Sequence, residues 1–167
     1  MSELDILYQD TITLFNRYIS KDNENEQETT YWIPSVLTGV HLILDRAKII
    51  STYGENASDN AMVNIRYQGG RNAPVIQGKK FLQPKDFRNR YLYDLDEYIT
   101  FSIGDDFDFF VAGRWGGLDD IVGNIDDDVY MNWGGFMNYM NSEYDNVFAI
   151  TGFSQYNLIP HFTVTAR

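Results

Sequence analysis

The sequence contains no cysteine among its 167 residues. This absence excludes disulfide bonds, thiolate metal sites and a cysteine nucleophile. No stretch approaches the ~20 apolar residues that a membrane-spanning helix needs. The acidic start, Met1 to Leu7, also lacks the apolar core of a signal peptide. We therefore expect a protein that is made in the cytoplasm and has no membrane partner.

Basic residues are scarce. The chain has 13 Lys and Arg against 24 Asp and Glu, which gives a net charge of -11. Such a charge argues against DNA or RNA as a direct ligand. It favours either simple solubility or an acidic surface past which nucleic acid slides without adhering. Most of the excess of acidic over basic residues comes from residues 94–128, which hold eleven acidic residues and one basic residue, Arg114.

Motifs of the common enzyme classes are missing as well. The sequence has no P-loop, no dinucleotide-binding G-x-G-x-x-G and no G-x-S-x-G nucleophile elbow. The two histidines, His41 and His161, lie on separate predicted strands, and we interpret both as hydrogen-bonded structural residues. We expect a protein that is not an enzyme and that has no cofactor.

One acidic segment comes close to a metal-binding pattern. Asn124, Asp126 and Asp128 occupy the first, third and fifth places of a calcium loop, but Val129 replaces the glycine at the sixth place and Gly135 the glutamate at the twelfth. We therefore predict no metal site, with a looser calcium or magnesium site as an alternative. Paired aspartates with nearby tryptophans leave a glycosidase as a further alternative.

Aromatic residues are abundant, at 16 % of the chain, and many fall in alternating segments. Tyr98 to Gly113 alternates, turns at Gly104-Asp105-Asp106 and continues as an apolar run, which predicts two antiparallel strands. Further strands are predicted over residues 8–19, 31–33, 61–67, 75–76, 146–153 and 160–166. Pro34 limits its strand or places it at a sheet edge.

Three segments allow or favour helix. Residues 39–52 fit either a strand or a short helix, and we favour the strand because the run is rich in branched residues. A first helical turn at 84–87 and a short helix within 134–140 are also predicted. The chain as a whole predicts one all-β domain over residues 1–167, a small antiparallel β-barrel or sandwich with a long inserted excursion at 114–145.

The excursion carries two W-G-G triplets and two acidic clusters, and a structureless loop of this length is unusual inside a compact domain. We expect it to be functional. The residues predicted to form an interface between proteins are Trp115, Trp133, Phe136, Tyr139, Lys79, Lys80 and Arg114. The residues predicted to form an acidic face or lumen are Asp105, Asp106, Asp119, Asp120, Asp126, Asp127 and Asp128. A basic group that includes Arg88 and Arg90 either contacts the acidic excursion of a neighbouring copy or only aids solubility.

Several short motifs together suggest a family. They are Asp10–Tyr18, Trp32, Leu37–Val40, Lys80–Phe87, Thr100–Gly113 and Val147–Phe153. Their layout resembles a family of small structural proteins of phages and prophages in Gram-positive hosts. It is similar to the head-closure or head–tail joining proteins of tailed phages, in which a "G-D … V-x-G" hairpin is followed by two more strands. The excursion departs from this pattern, since such proteins have only a few residues there.

The resemblance implies a non-catalytic virion protein of the neck, made in the host cytoplasm. Copies would form a ring, as a hexamer or dodecamer, against portal or adaptor and tail proteins. DNA would pass through the lumen without specific binding. The alternative function is a carbohydrate- or receptor-binding module of a phage tail that recognises sugar through Trp115 and Trp133.

Overall fold

The computed structural model describes residues 3–21, 27–53, 59–115 and 123–167. Its strands are β1 (Asp10–Lys21), β2 (Glu28–Ile43), β3 (Ala61–Arg66), β4 (Val75–Ile76), β5 (Lys79–Phe81), β6 (Tyr98–Ile99), β7 (Phe109–Ala112), β8 (Ile125–Asp126), β9 (Val147–Tyr156) and β10 (His161–Ala166). Its α-helices are α1 (Glu3–Leu7), α2 (Arg46–Tyr53), α3 (Pro84–Arg88) and α4 (Phe136–Glu143). Shorter 3-10 segments cover Leu92–Glu97, Gly104–Asp106 and Asp127–Trp133.

Two antiparallel sheets form the body of the protein. One has the order β8-β2-β1-β7-β9 and the other the order β2-β3-β10-β9, so the long strands β2 and β9 each contribute to both. A small third sheet joins β4, β5 and β6. The predicted all-β fold is confirmed, and the arrangement is sandwich-like rather than a regular closed barrel.

The β1–β2 hairpin is the longest pairing between described strands, and β1 covers most of the strand predicted over residues 8–19. Its register runs from Asp10 opposite Val40 to Lys21 opposite Glu28. β2 continues through Pro34, so the proline does not limit the strand. Pro34 pairs with Phe15 on one side, and no described strand pairs with residues 33–40 on the other side. Because proline lacks an N–H donor, this one-sided position is the edge position that was predicted.

The predicted hairpin at residues 98–111 is wrong in its pairing. β6 lies parallel to β5 in the small sheet, while β7 pairs with β1 and β9. The physical reason is the buried side chain of Asp108, which accepts hydrogen bonds from the backbone N–H groups of Arg17 and Ser102. These contacts turn the chain between β6 and β7, so the two strands separate instead of pairing.

The strand prediction for residues 39–52 is correct only as far as Ile43. Residues 46–53 form α2, and its start is marked by Asp45, whose side chain accepts a hydrogen bond of 2.9 Å from the Ala47 N–H. An aspartate is a favoured residue immediately before a helix, because its oxygen satisfies an N–H group that has no partner within the helix. Ile49 then anchors α2, since its side chain is fully buried.

The core has three parts. The main cluster fills the sandwich, and β3 contributes Ala61, Val63 and Ile65, the face that alternation predicts as inward. A second cluster joins the sandwich to the excursion and contains Phe15, Trp32, Phe109, Val111, Ile125, Phe136 and Met140. A third, smaller cluster lies under α3. The described part of the excursion is therefore packed on the sandwich, and the short helix predicted within 134–140 is present as α4.

Candidate functional site

A groove of about 770 Å³ lies beside the second half of β1. We call it the cationic groove. It is lined by Arg17, Tyr18, Ile19, Ser20, Glu28, Arg88, Asn89, Arg90, Tyr91, Leu92, Tyr93 and Asp106. Three of these residues are arginines, which is unusual in a chain with a net charge of -11.

Arg17 enters the groove from β1. Its guanidinium carbon lies 5.1 Å from the centre of the Trp32 ring, and its Nη1 donates a hydrogen bond of 3.2 Å to the carbonyl oxygen of Asp105. Its Nε atom is buried and has no hydrogen-bond partner among the described residues. The side chain is therefore held by an aromatic ring and a neutral carbonyl, which leave its positive charge without a carboxylate.

Arg88 and Arg90 come from the end of α3, which is anchored by the buried ring of Phe87. Arg88 forms an ion pair of 3.5 Å with Asp106, and both side chains are half-exposed. The guanidinium of Arg90 lies 4.3 Å from the centre of the Tyr98 ring and donates to the Tyr98 hydroxyl.

The backbone at Arg90 is tied to β1. Tyr18 donates a hydrogen bond of 2.7 Å from its hydroxyl to the Arg90 carbonyl oxygen. Burial raises the pKa of Tyr18, so this phenol keeps its proton at neutral pH and remains a donor. The segment that carries the arginines is therefore held against the strand that carries Arg17.

The groove has a net positive charge. Its two carboxylates are Glu28 and Asp106, and neither Arg17 nor Arg90 forms an ion pair with any carboxylate in the part of the chain that the structure describes. Arginine presents a planar fork of donors that suits carboxylate or phosphate groups. The groove is thus equipped to bind an anion.

Two exposed tyrosines form one wall. The rings of Tyr91 and Tyr93 are stacked at 5.4 Å with an interplanar angle of 5°. They are 64 % and 77 % exposed. A stacked pair that projects into solvent offers a flat face on which a second ring can pack. The groove therefore places arginine side chains beside a flat aromatic surface.

The tryptophans of the excursion have different environments. Trp115 packs edge-on against Phe15 and Phe136 at 5.8 and 5.5 Å. Phe136 itself is fully buried, so these predicted interface residues hold the excursion to the sandwich. Trp133 is 45 % exposed and contacts Tyr139, which is half-buried.

The predicted basic interface residues do not line the groove. Lys79 donates a hydrogen bond of 2.7 Å to the Ser35 hydroxyl. Burial lowers the pKa of Lys79, while the nearby charge of Asp96 acts in the opposite direction. Lys80 and Arg114 are exposed.

The acidic residues fall into two described groups. Asp105 is exposed and Asp106 is half-buried beside the groove. In the excursion, Asp126 accepts a hydrogen bond from the Asp128 N–H, and Asp128 is exposed. Asp127 has a structural role, because its Oδ1 accepts from Trp32 Nε1 at 3.0 Å and from the Phe136 N–H at 2.8 Å. The remaining two, Asp119 and Asp120, lie outside the described residues.

The histidines lie on the strands where they were predicted. His41 on β2 packs against Tyr8, with ring centres 5.9 Å apart. His161 on β10 stacks on Tyr156, and its Nδ1 lies 2.6 Å from the carbonyl oxygen of Ile159. Among the described residues, no three His, Asp or Glu side chains are grouped so that they could hold a metal ion. No helix in the same ranges has the length and hydrophobicity to cross a membrane.

Sequence reasoning missed Arg17, Tyr91 and Tyr93 as site residues. A signal for part of the site is present in the run from Arg88 to Tyr93, R-N-R-Y-L-Y, where two arginines are followed directly by two tyrosines. Arg17 is about seventy residues away in the sequence, and only the packing of α3 beside β1 brings it to the same groove.

Fold and site together define the class: a sandwich-like all-β protein with a groove lined by arginine and tyrosine. The chain belongs to a family of unknown function (DUF6751), whose model matches residues 7–167. A comparison with curated proteins and a comparison with solved structures each found no match.

Proposed function

We propose that this chain is a non-catalytic structural protein of the phage neck, a head-closure or head–tail connector that assembles as a ring. The motif layout from Asp10 to Phe153 supports the neck assignment by resemblance. The chemistry of the cationic groove supports a recognition role, because arginine presents a planar fork of hydrogen-bond donors that fits carboxylate or phosphate groups.

One observation carries the proposal of self-assembly. The segment Asp127–Trp133 exposes three large apolar side chains within five residues: Val129 is 70 %, Met131 59 % and Trp133 45 % exposed. The same segment is anchored underneath by Tyr130, whose ring lies 4.9 Å from that of Phe136. An apolar surface held on a packed support is what a protein–protein interface requires.

The charge fits a neck protein as well. Asp105 and Asp128 are exposed, and the whole chain carries a net charge of -11. In a ring with such a lining, DNA would move through the lumen without adhering, because like charges repel. The portal or adaptor and the tail proteins would then contact the two rims of the ring.

Assembly is tested by measuring particle mass. The purified full chain is examined by mass photometry and negative-stain imaging from 0.1 to 50 µM. In a second experiment, phage particles that carry a tagged copy of the protein are imaged with a gold-labelled antibody. We expect closed rings and gold at the neck. The variant Val129→Ser/Met131→Ser should weaken assembly at least tenfold, whereas the matched change Ile6→Ser should not, since Ile6 is equally exposed on α1 at 59 %. Labelling elsewhere on the particle, or none, would refute the proposal.

A tail module that binds carbohydrate or a receptor remains the second candidate. Trp133 and the Tyr91–Tyr93 stack are exposed rings on which a sugar could pack. Trp115 is less suited, because it packs against Phe15 and Phe136. Binding on a glycan array that disappears in Trp133→Ala or Tyr91→Ala would favour this second function over the first.

A further inference from the structure

We propose that the cationic groove binds the segment Glu143-Tyr144-Asp145 of a second copy of this chain. The inference rests on the proposed ring and names the contact that would build it. The groove offers Arg17 and Arg90 without carboxylate partners in the described residues, beside the exposed Tyr91–Tyr93 stack. Its occupant should therefore carry carboxylates next to an aromatic ring.

The end of α4 has this chemistry. Glu143 and Asp145 are exposed on either side of Tyr144, whose side chain is 39 % exposed. No hydrogen bond or ion pair within the described residues occupies either carboxylate. Asp127 and Asp106 are less available, since Asp127 accepts hydrogen bonds from Trp32 and Phe136, and Asp106 already pairs with Arg88.

The two surfaces lie at opposite ends of β1 and cannot meet within one chain. The backbone oxygen of Asn146, next to the acidic segment, accepts a hydrogen bond of 3.1 Å from Ala112, and Ala112 pairs with Ile12 at the start of β1. The groove begins five residues further along the strand, at Arg17, and extends to Ser20. At ~3.3 Å per residue, the separation is roughly 20 Å.

This placement predicts a head-to-tail contact. The groove of one copy would receive the acidic segment of the next, so that each copy uses two different surfaces. Such heterologous contacts generate a closed ring when the rotation between copies closes. Complementary charge also sets the register of the contact and suppresses wrong pairings between acidic surfaces.

The direct test uses a fluorescent peptide of residues 139–147, titrated against the full chain and followed by fluorescence polarisation. We expect saturable binding that weakens at least tenfold in Arg88→Glu/Arg90→Glu and also in Tyr91→Ala. The charge-matched control Lys80→Glu/Arg114→Glu, which changes exposed residues outside the groove, should bind as the natural chain does. A peptide with Glu143→Lys and Asp145→Lys should not bind. Circular dichroism of each variant confirms that it is folded.

Charge reversal in the full chain gives an independent readout. Rings should be lost in Arg88→Glu/Arg90→Glu and in Glu143→Lys/Asp145→Lys, and should return when both pairs are reversed in one chain. The inference is overturned if the peptide does not bind, or if it binds the Arg88→Glu/Arg90→Glu variant as tightly as the natural chain. It is also overturned if a poly-glutamate peptide binds the natural chain as tightly as the peptide of residues 139–147. If all variants form rings, the inference fails while the proposed function stands. If peptide binding is found but the particle neck lacks the protein, the proposed function fails instead.

Discussion

Asp108 allows a prediction about pH and stability to be worked out in full. Its carboxylate is completely buried between β1 and β7. Oδ1 accepts a hydrogen bond of 2.8 Å from the Arg17 N–H, and Oδ2 accepts from Asn16 Nδ2 at 2.9 Å and from the Ser102 N–H at 2.7 Å. Burial raises the pKa of Asp108 from 3.8 to about 7, although these hydrogen bonds act in the opposite direction.

The sign of the effect follows from the two pKa values. Between 3.8 and about 7 the folded state holds a proton that the unfolded state has lost, so protonation of Asp108 stabilises the fold. This contribution is complete below the unfolded pKa and is lost as the pH rises through the folded pKa. We expect the free energy of unfolding to fall by about 2.5 kcal/mol between pH 5 and pH 8 through this one group.

The variant Asp108→Asn removes the titration. Its amide must also place an N–H₂ group against at least one of the three donors, which we expect to cost about 1–3 kcal/mol at pH 8. The natural chain should therefore exceed the variant in free energy of unfolding by more at pH 5 than at pH 8, and the two differences should differ by about 2.5 kcal/mol. Urea unfolding at several pH values, followed by the fluorescence of the buried Trp32, measures both curves.

The control is Asp105→Asn, which changes an exposed carboxylate three residues away. The free energy of unfolding of this control should change with pH by the same amount as that of the natural chain. Parallel profiles for Asp108→Asn as well would refute the reasoning, because the buried carboxyl would then not bind a proton in the folded state. A variant more stable than the natural chain at pH 5 would refute the hydrogen-bond argument.

Three further predictions concern the excursion and one turn. Phe136→Ala should lower the free energy of unfolding by about 3–5 kcal/mol in urea unfolding, because the fully buried ring joins the excursion to the sandwich. Asp127→Ala should cost about 1–3 kcal/mol and shift the emission of Trp32, whose indole N–H loses its acceptor; an unchanged spectrum would contradict this. Gly69→Ala should lower the melting temperature more than Gly70→Ala. Both glycines have positive φ, but a Cβ at Gly69 would lie 2.4 Å from a backbone oxygen, whereas none lies within 4 Å at Gly70.

The sequence predicted the parts of the fold that alternation specifies. β1, β3, β9 and β10 were predicted because their sequences are rich in alternating, β-branched and aromatic residues. Alternation does not say which strand pairs with which, and the 98–111 hairpin was wrong for that reason. The pairing depends on Asp108, which lies on the predicted apolar run and gives no local sign that it binds β1 across ninety residues.

The candidate site was harder to predict than the fold. The excursion is rich in aromatic and acidic residues, yet Phe136 is fully buried and Trp115 packs against it. Asp127 accepts hydrogen bonds from the Phe136 N–H and from Trp32. Composition cannot separate an aromatic residue in a core from one at an interface, because both positions favour the same large rings. The sequence analysis included Arg88 and Arg90 in a basic group. It could not place them in a groove with Arg17, because only tertiary packing brings Arg17 near them.

Net charge also gave an incomplete picture of what the surface can bind. A total of -11 sums over the whole chain, whereas a bound group responds to charges within about one Debye length, ~8 Å at physiological salt. The groove is lined by Arg17, Arg88 and Arg90 against two carboxylates, Glu28 and Asp106, and Asp106 pairs with Arg88. An acidic protein can thus repel nucleic acid along most of its surface and still accept an acidic peptide at one place. The ring that we propose would need both properties, because each subunit would have to repel DNA and bind its neighbour.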